Sequence, residues 1–72
     1  MKGTIKSLSK QIELYGLIEV EGEENFFYFS PQDVMGGERA FHQLKVEDEV
    51  SFTSTDENIG GIYIRASKIR RL

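Results

Sequence analysis

The stretch Phe26-Phe27-Tyr28-Phe29 decides how this chain is expected to fold. In an extended strand its side chains alternate, so Phe26 and Tyr28 share one face while Phe27 and Phe29 leave from the other. A chain of 72 residues is too small to bury aromatic rings on both faces. We therefore predict a β-strand with one face in a core and one towards water, where flat rings can stack on unpaired bases.

A second aromatic segment, Tyr15-Gly16-Leu17-Ile18, precedes this strand. We predict a strand over residues 14–20, with Tyr15 and Leu17 on one face and Gly16 and Ile18 on the other. Residues 21–24 contain one glycine and three glutamates, a composition typical of a turn. The two aromatic segments are therefore expected to lie on neighbouring strands.

Three further strands are predicted, at residues 4–8, 46–54 and 62–70, in addition to those at 14–20 and 25–30. Pro31 lacks an N–H and ends the third strand, and Ser30 with Pro31 can open a helical turn in the long connection over residues 31–43. Residues 58–61 form a glycine-rich turn. Five short strands at this spacing predict an all-β fold, a small five-stranded antiparallel barrel, which also removes exposed sheet edges. The predicted core is apolar and comprises Ile5, Ile18, Val20, Phe27, Leu44, Val50, Phe52, Ile62, Ile64 and Ile69.

Composition excludes several classes of function. The chain has no cysteine, which excludes disulfides and thiolate metal sites, and its single histidine, His42, cannot build a histidine cluster. No signal peptide or membrane-spanning run is recognisable, so we expect a cytoplasmic domain without membrane contact, metal or cofactor. The carboxylates at residues 47–49 come with no nucleophile or pocket signal, and we predict no enzyme activity.

The formal net charge of −3 argues against a nucleic-acid partner, but the distribution of the charges matters more than their sum. Basic residues gather near both ends of the chain, at Lys2, Lys6, Lys10, Arg65, Lys68, Arg70 and Arg71. Acidic residues gather at 19–24, 47–49 and 56–57. If the two ends pair in space, a basic edge forms on an acidic protein. The alternative is that these charges only keep a small domain in solution.

The order of four segments carries a family resemblance. Residues 1–6 (Met-Lys-Gly-Thr-Ile-Lys), 15–18, 26–30 and 66–72 follow one another as the opening strand, the two ribonucleoprotein motifs and the closing segment of the cold-shock domain do. The chain therefore resembles a divergent cold-shock domain over nearly its whole length. The resemblance implies an OB-fold barrel that binds single-stranded RNA or DNA on an aromatic platform, and a role as an RNA chaperone.

Departures from the family pattern weaken the expected binding. The family's tryptophan falls on Ser7, the lysine of its first motif on Glu13, the second phenylalanine of that motif on Leu17 and the histidine of its second motif on Tyr28. Each base–aromatic stack contributes about 1–3 kcal/mol, so these losses lower the affinity by orders of magnitude. We expect weak, salt-sensitive binding with little sequence preference.

The predicted nucleic-acid site combines aromatic, apolar and basic side chains. Stacking is assigned to Tyr15, Phe26, Tyr28 and Phe41, phosphate contacts to Lys6, Lys10 and Lys68, support of the platform edge to Phe29, and apolar filling to Leu8 and Leu17. Simpler structural roles stay open for the rings: a cross-strand cluster that only stabilises the sheet for Tyr15, Phe26 and Tyr28, core packing for Phe29, and a lid over the barrel end for Phe41.

A second hypothesis assigns the barrel to protein interaction or regulation, after loss of nucleic-acid binding. Residues 1–72 are expected to form a single domain, which can be the first of a longer protein, and exposed aromatic rings then form a patch for a partner domain after Leu72. A third interpretation, binding of an oligosaccharide or a peptide, has no dedicated residue in the sequence.

Overall fold

The computed structural model describes residues 1–72 and shows a closed five-stranded barrel, which confirms the predicted all-β, OB-like fold. The strands are β1 (Lys2–Lys10), β2 (Leu14–Glu19), β3 (Phe27–Phe29), β4 (Glu49–Ile59) and β5 (Tyr63–Arg71). They close in the order β1-β2-β3-β5-β4. Every ladder is antiparallel except that between β3 and β5, which is parallel because the chain crosses the barrel end between them.

The connection between β3 and β4 holds two short helices. A 3₁₀ helix covers Pro31–Asp33, as the Ser30-Pro31 pair predicts, and the Asp33 carboxylate accepts a hydrogen bond of 3.0 Å from the Ser30 backbone N–H. Helix α1 (Gly37–Gln43) follows, where the sequence predicted only a connection. Neither helix has the length and apolar character needed to cross a membrane.

Four of the five strands differ in length from the prediction: β1 covers Lys2–Lys10 instead of residues 4–8, β2 ends one residue earlier than predicted, and β3 and β4 also differ. β3 is shorter than residues 25–30, because the exposed residues 21–26 form the turn that precedes it. β4 extends to Ile59 instead of ending at Ser54, because its second half continues to pair with β5. This long β4–β5 hairpin brings its turn close to the outer face of β2 and β3.

The core confirms most of the predicted interior and corrects part of it. Its buried members are Ile5, Ile18, Phe27, Phe29, Val34, Phe41, Leu44, Val50, Phe52, Ala66 and Ile69. The prediction that Ile62 is buried is wrong, since this residue is 64% exposed in the turn before β5. Val20 and Ile64 are partly buried and pack against the core. Val34 and Ala66 are buried members that the sequence did not indicate.

The full burial of Phe29 follows from the glycine opposite it. Gly16 pairs with Phe29 across the β2–β3 ladder, and a Cβ on Gly16 would lie 2.4 Å from the Phe29 Cζ atom. The missing side chain therefore leaves the space that the Phe29 ring occupies. Phe41 of α1 meets this ring edge-on, with 6.0 Å between the centroids, and covers the barrel end as a lid.

One carboxylate is buried at the same end. Asp33 is 8% exposed, and its Oδ2 atom lies 3.1 Å from Nη2 of Arg65 on β5. The Arg65 Nε–H donates to both carboxylate oxygens at 3.2 Å. The hydrogen bond to Asp33 raises the pKa of Arg65 above its ordinary value. This pair fixes the connection after β3 to the strand that closes the barrel.

Candidate nucleic-acid interface

An open cleft of about 330 Å³ lies between the outer face of β2 and β3 and the turn that joins β4 to β5. Its volume is within the usual range for small-ligand pockets. The lining residues are Glu13, Tyr15, Leu17, Tyr28, Ile59, Gly60, Ile62 and Tyr63. All three tyrosines of the chain are among them.

The first wall of the cleft follows from strand alternation. Ile18 of β2 and Phe27 of β3 point into the core, so Leu17 and Tyr28, which are paired across the ladder, point outwards. The Tyr15 ring lies against the Tyr28 ring with 5.7 Å between centroids and 16° between planes. This nearly parallel stack is both a cross-strand contact that stabilises the sheet and the flat part of an open surface.

The second wall comes from the β4–β5 turn. Ile59 pairs with Tyr63 across this turn, and Gly60 and Gly61 adopt positive φ values of 63° and 76°. Those angles favour glycine, which has no Cβ to clash. Sequence reasoning did not assign Tyr63 or Ile62 to the site. The adjacent glycines were the available signal, because a tight turn there places the residues that flank it side by side.

The structure brings together three of the predicted apolar site residues and separates the others. Tyr15, Leu17 and Tyr28 line the cleft. The prediction that Phe41 stacks on a base is wrong, because its ring is fully buried and presents no face to a ligand. Phe29 is fully buried as well, which agrees with the core packing that the sequence left open for this ring and means that it does not contact a ligand.

Phe26 and Leu8 also lie outside the cleft. Phe26 precedes β3 and is 36% exposed, but it does not line the cleft. Leu8 packs half-buried against the core, and its Cδ2 atom would lie 2.9 Å from a Cβ on Gly16. Leu8 is therefore a core neighbour and not a filler of the stacking surface.

Two of the predicted phosphate-binding lysines already interact with acceptor groups of the protein itself. The Lys6 Nζ atom lies 3.3 Å from Glu47 and 3.6 Å from Glu19, and the hydrogen bond to Glu47 is the main cause of the raised pKa of Lys6. Lys10 donates from Nζ to the carbonyl oxygens of His42 and Leu44 at 2.9 and 2.6 Å. These carbonyls belong to the C-terminal end of α1, where a cation is favourable.

Lys68 is the predicted phosphate ligand that stays available. It is exposed on β5 and forms no ion pair with an acidic residue. Its backbone is left-handed, with φ of 53°, at a register shift between β4 and β5. None of the three lysines lines the cleft.

The charge that does line the cleft is negative. Glu13 directly precedes β2, and its carboxylate has no ion-pair or hydrogen-bond partner, although its backbone carbonyl accepts a hydrogen bond from Ser9. No group of three or more His, Cys, Asp or Glu side chains is placed to hold a metal ion. The cleft thus combines apolar and aromatic walls with one available carboxylate.

Comparisons with known proteins leave the resemblance to the cold-shock domain as a prediction. A scan of protein-family models gave no match, and searches of curated proteins and of solved structures gave none.

Proposed function

We propose that this barrel binds single-stranded RNA or DNA weakly and with low sequence specificity, by accepting a base in the cleft between Tyr28 and Tyr63. The observation that carries the proposal is the parallel Tyr15–Tyr28 pair, which faces an open apolar cleft and not the core. Stacking on aromatic rings is the sequence-tolerant part of single-strand recognition. Membership of the cold-shock family, a cytoplasmic location and a role as an RNA chaperone belong to the same proposal.

The charges around the cleft support weak rather than tight binding. Single-strand binding modules usually combine stacking rings with a positively charged groove along the backbone. Here the cleft contains no cation and one carboxylate, and Lys6 and Lys10 already have partners. Stacking therefore supplies most of the binding free energy, at about 1–3 kcal/mol per base.

A titration of isotope-labelled protein with oligouridine tests the proposal residue by residue. We expect chemical-shift changes centred on Tyr15, Tyr28 and Tyr63. Tyr28→Ala should weaken binding roughly fivefold to a hundredfold, since it removes one stacking ring. The matched variant Tyr28→Phe keeps the ring and should bind nearly as the parent does. No shift changes at high-micromolar strand and low salt, with oligouridine and with a strand that contains all four bases, would overturn the proposal.

The dependence on salt gives a second measurement. Each neutralised phosphate contributes a slope of about −0.7 to the plot of log affinity against log salt for single strands. With Lys68 as the one predicted lysine that lacks a partner, we expect a total slope on the order of −1. Lys68→Ala should reduce this slope towards zero, whereas Lys6→Ala should leave it unchanged. A slope several times steeper would place the strand elsewhere on the protein.

A second candidate function, protein interaction or regulation, is favoured by one observation. Ile62 is 64% exposed at the rim of the cleft, and an exposed apolar side chain beside aromatic rings suits an apolar group of a partner protein. Sedimentation of the domain over a range of concentrations distinguishes the two functions. Self-association that Ile62→Ser abolishes, together with no response to oligonucleotides, favours interaction.

A further inference from the structure

Glu13 is the one charged residue that lines the cleft, and Tyr15, one of the rings on which a base would stack, lines the same cleft two residues further along the chain. We infer that Glu13 selects the base, and that the cleft prefers guanine over uracil or thymine. The inference rests on the proposed function, because it names which base occupies the cleft described above.

Chain geometry places Glu13 within reach of a stacked base. Glu13 and Tyr15 are two residues apart, so their Cα atoms are at most roughly 7 Å from each other. Both side chains line the same cleft, with Leu17 following them on β2. A base that lies against the tyrosine rings is therefore within reach of the Glu13 side chain.

The Glu13 carboxylate forms no hydrogen bond or ion pair with another group of the protein. Glu13 forms no salt bridge, and none of the side-chain hydrogen bonds in the structure involves its Oε atoms. An ionised carboxylate is an acceptor only, with two oxygens that can take two parallel N–H groups. The carboxylate therefore matches a base edge that carries two adjacent hydrogen-bond donors.

The bases differ sharply in what they offer to such an acceptor. The Watson–Crick edge of guanine carries the N1–H and the 2-amino group side by side, which match the two carboxylate oxygens. Cytosine and adenine offer a single amino group next to a ring acceptor. Uracil and thymine place one N–H between two carbonyl oxygens, and those oxygens face the carboxylate with like partial charge. Guanine is thus the best match and uracil the poorest.

Phosphate repulsion supports a base contact for Glu13 rather than a backbone contact. A carboxylate at the cleft opposes the phosphates of the same strand, so it lowers affinity for every sequence unless a base compensates it. A base that donates two hydrogen bonds to a charged acceptor provides that compensation. The same residue that weakens general binding therefore sharpens the choice of base.

Affinity measurements on three pentanucleotides test the inference. The strands are UUGUU, UUIUU and UUUUU, where inosine (I) keeps the N1–H of guanine and lacks its 2-amino group. We expect the guanine strand to bind about tenfold or more tighter than the uridine strand, as for other bidentate base contacts. The inosine strand should lie between them.

Glu13→Gln supplies the matched control, because glutamine has nearly the same shape without the charge. In this variant the guanine preference should fall severalfold, and the uridine strand should bind more tightly than it does to the parent protein. Equal affinities in the parent, or an unchanged preference in Glu13→Gln, would overturn the role of Glu13 while leaving the proposed function in place. Absence of binding by all three strands would overturn both.

Discussion

The aromatic rings of this barrel form two populations, one inside and one outside. Phe27, Phe29, Phe41 and Phe52 are buried, whereas Tyr15, Tyr28 and Tyr63 line the outer cleft. The inner rings meet at steep angles, 55° for Phe27 with Phe52 and 66° for Phe29 with Phe41. The outer pair, Tyr15 with Tyr28, is nearly parallel at 16°.

This difference in ring geometry suggests that the inner rings stabilise the fold and the outer rings serve binding. Tilted rings interlock and fill a volume, which is what a close-packed interior requires. Parallel rings instead leave flat area towards water, which is what a stacked base requires. The phenol hydroxyl reinforces the division, because it is readily hydrated at a surface and needs a partner when buried. The inner set is therefore expected to determine folding, and the outer set ligand binding.

The largest effect should come from shortening an inner ring. Phe41→Ala is expected to lower the free energy of unfolding by about 3–5 kcal/mol, because it leaves a cavity where a fully buried ring closes the barrel end. Denaturant unfolding followed by circular dichroism measures this loss. Phe26→Ala, the same substitution at a ring that is 36% exposed, should cost less than about 1 kcal/mol.

A small domain can fail to fold after such a loss of stability. The milder variant Phe41→Leu is therefore used to test whether Phe41 takes part in binding. This swap between large apolar side chains should cost less than about 1.5 kcal/mol and leave oligouridine affinity unchanged. If Phe41→Leu keeps its stability but loses binding, Phe41 belongs to the ligand surface, and the division into inner and outer rings breaks down.

The second largest effect is expected at Asp33, the buried carboxylate of the barrel. Asp33→Ala removes the carboxylate that accepts hydrogen bonds from Arg65 and from the Ser30 backbone. We expect a loss of about 2–3 kcal/mol, typical of buried hydrogen bonds to a charged group. Glu57→Ala is the matched control, because Glu57 contacts the same guanidinium from an exposed position, at 3.5 Å, and should cost below about 1 kcal/mol. Equal losses in the two variants would show that the burial of Asp33 adds nothing.

The sequence predicted the barrel and the outward direction of Tyr15, Leu17 and Tyr28, because strand alternation is a local property that the residues themselves carry. It placed Phe29 on the same face as Phe27 but left open whether the ring supports the platform edge or packs in the core; the ring is fully buried because Gly16 on the neighbouring strand has no side chain. Which glycine lies opposite which ring depends on strand register, and register is set by the whole sheet. Periodicity therefore gave the face of each residue but not its neighbours.

Two other parts of the site also depend on distant contacts. Phe41 lies in a seven-residue helix, which is too short to be recognised by its period and is stabilised by packing on the barrel end. Tyr63 joins the cleft because β4 extends to Ile59 and carries its turn towards β2. The sequence does not show that Lys6 and Lys10 have partners within the protein, because Glu47 and the end of α1 are more than thirty residues away. Both lysines were therefore assigned to phosphate contacts.

The smallest effect is expected at Lys6, on the outer surface away from the cleft. The hydrogen bond to Glu47, together with the charges of Glu47 and Glu19, raises the pKa of Lys6 above its ordinary value. A raised pKa means that the folded state holds the proton more tightly than the unfolded chain does. The resulting stabilisation is complete below the unfolded-chain pKa of about 10.4, and it is lost as the pH rises through the folded-state pKa.

An NMR titration of the Lys6 side chain in alkaline solution measures this pKa directly. Glu47→Gln should lower it towards the ordinary value, whereas Glu49→Gln, a change of the same charge at a residue that does not contact Lys6, should not. Because the pair is exposed, we expect no measurable change in unfolding at neutral pH. If Lys6 instead leaves Glu47 and shifts strongly when oligouridine is added, the outer surface that binds the strand extends beyond the tyrosine cleft, and the cleft is only part of the interface.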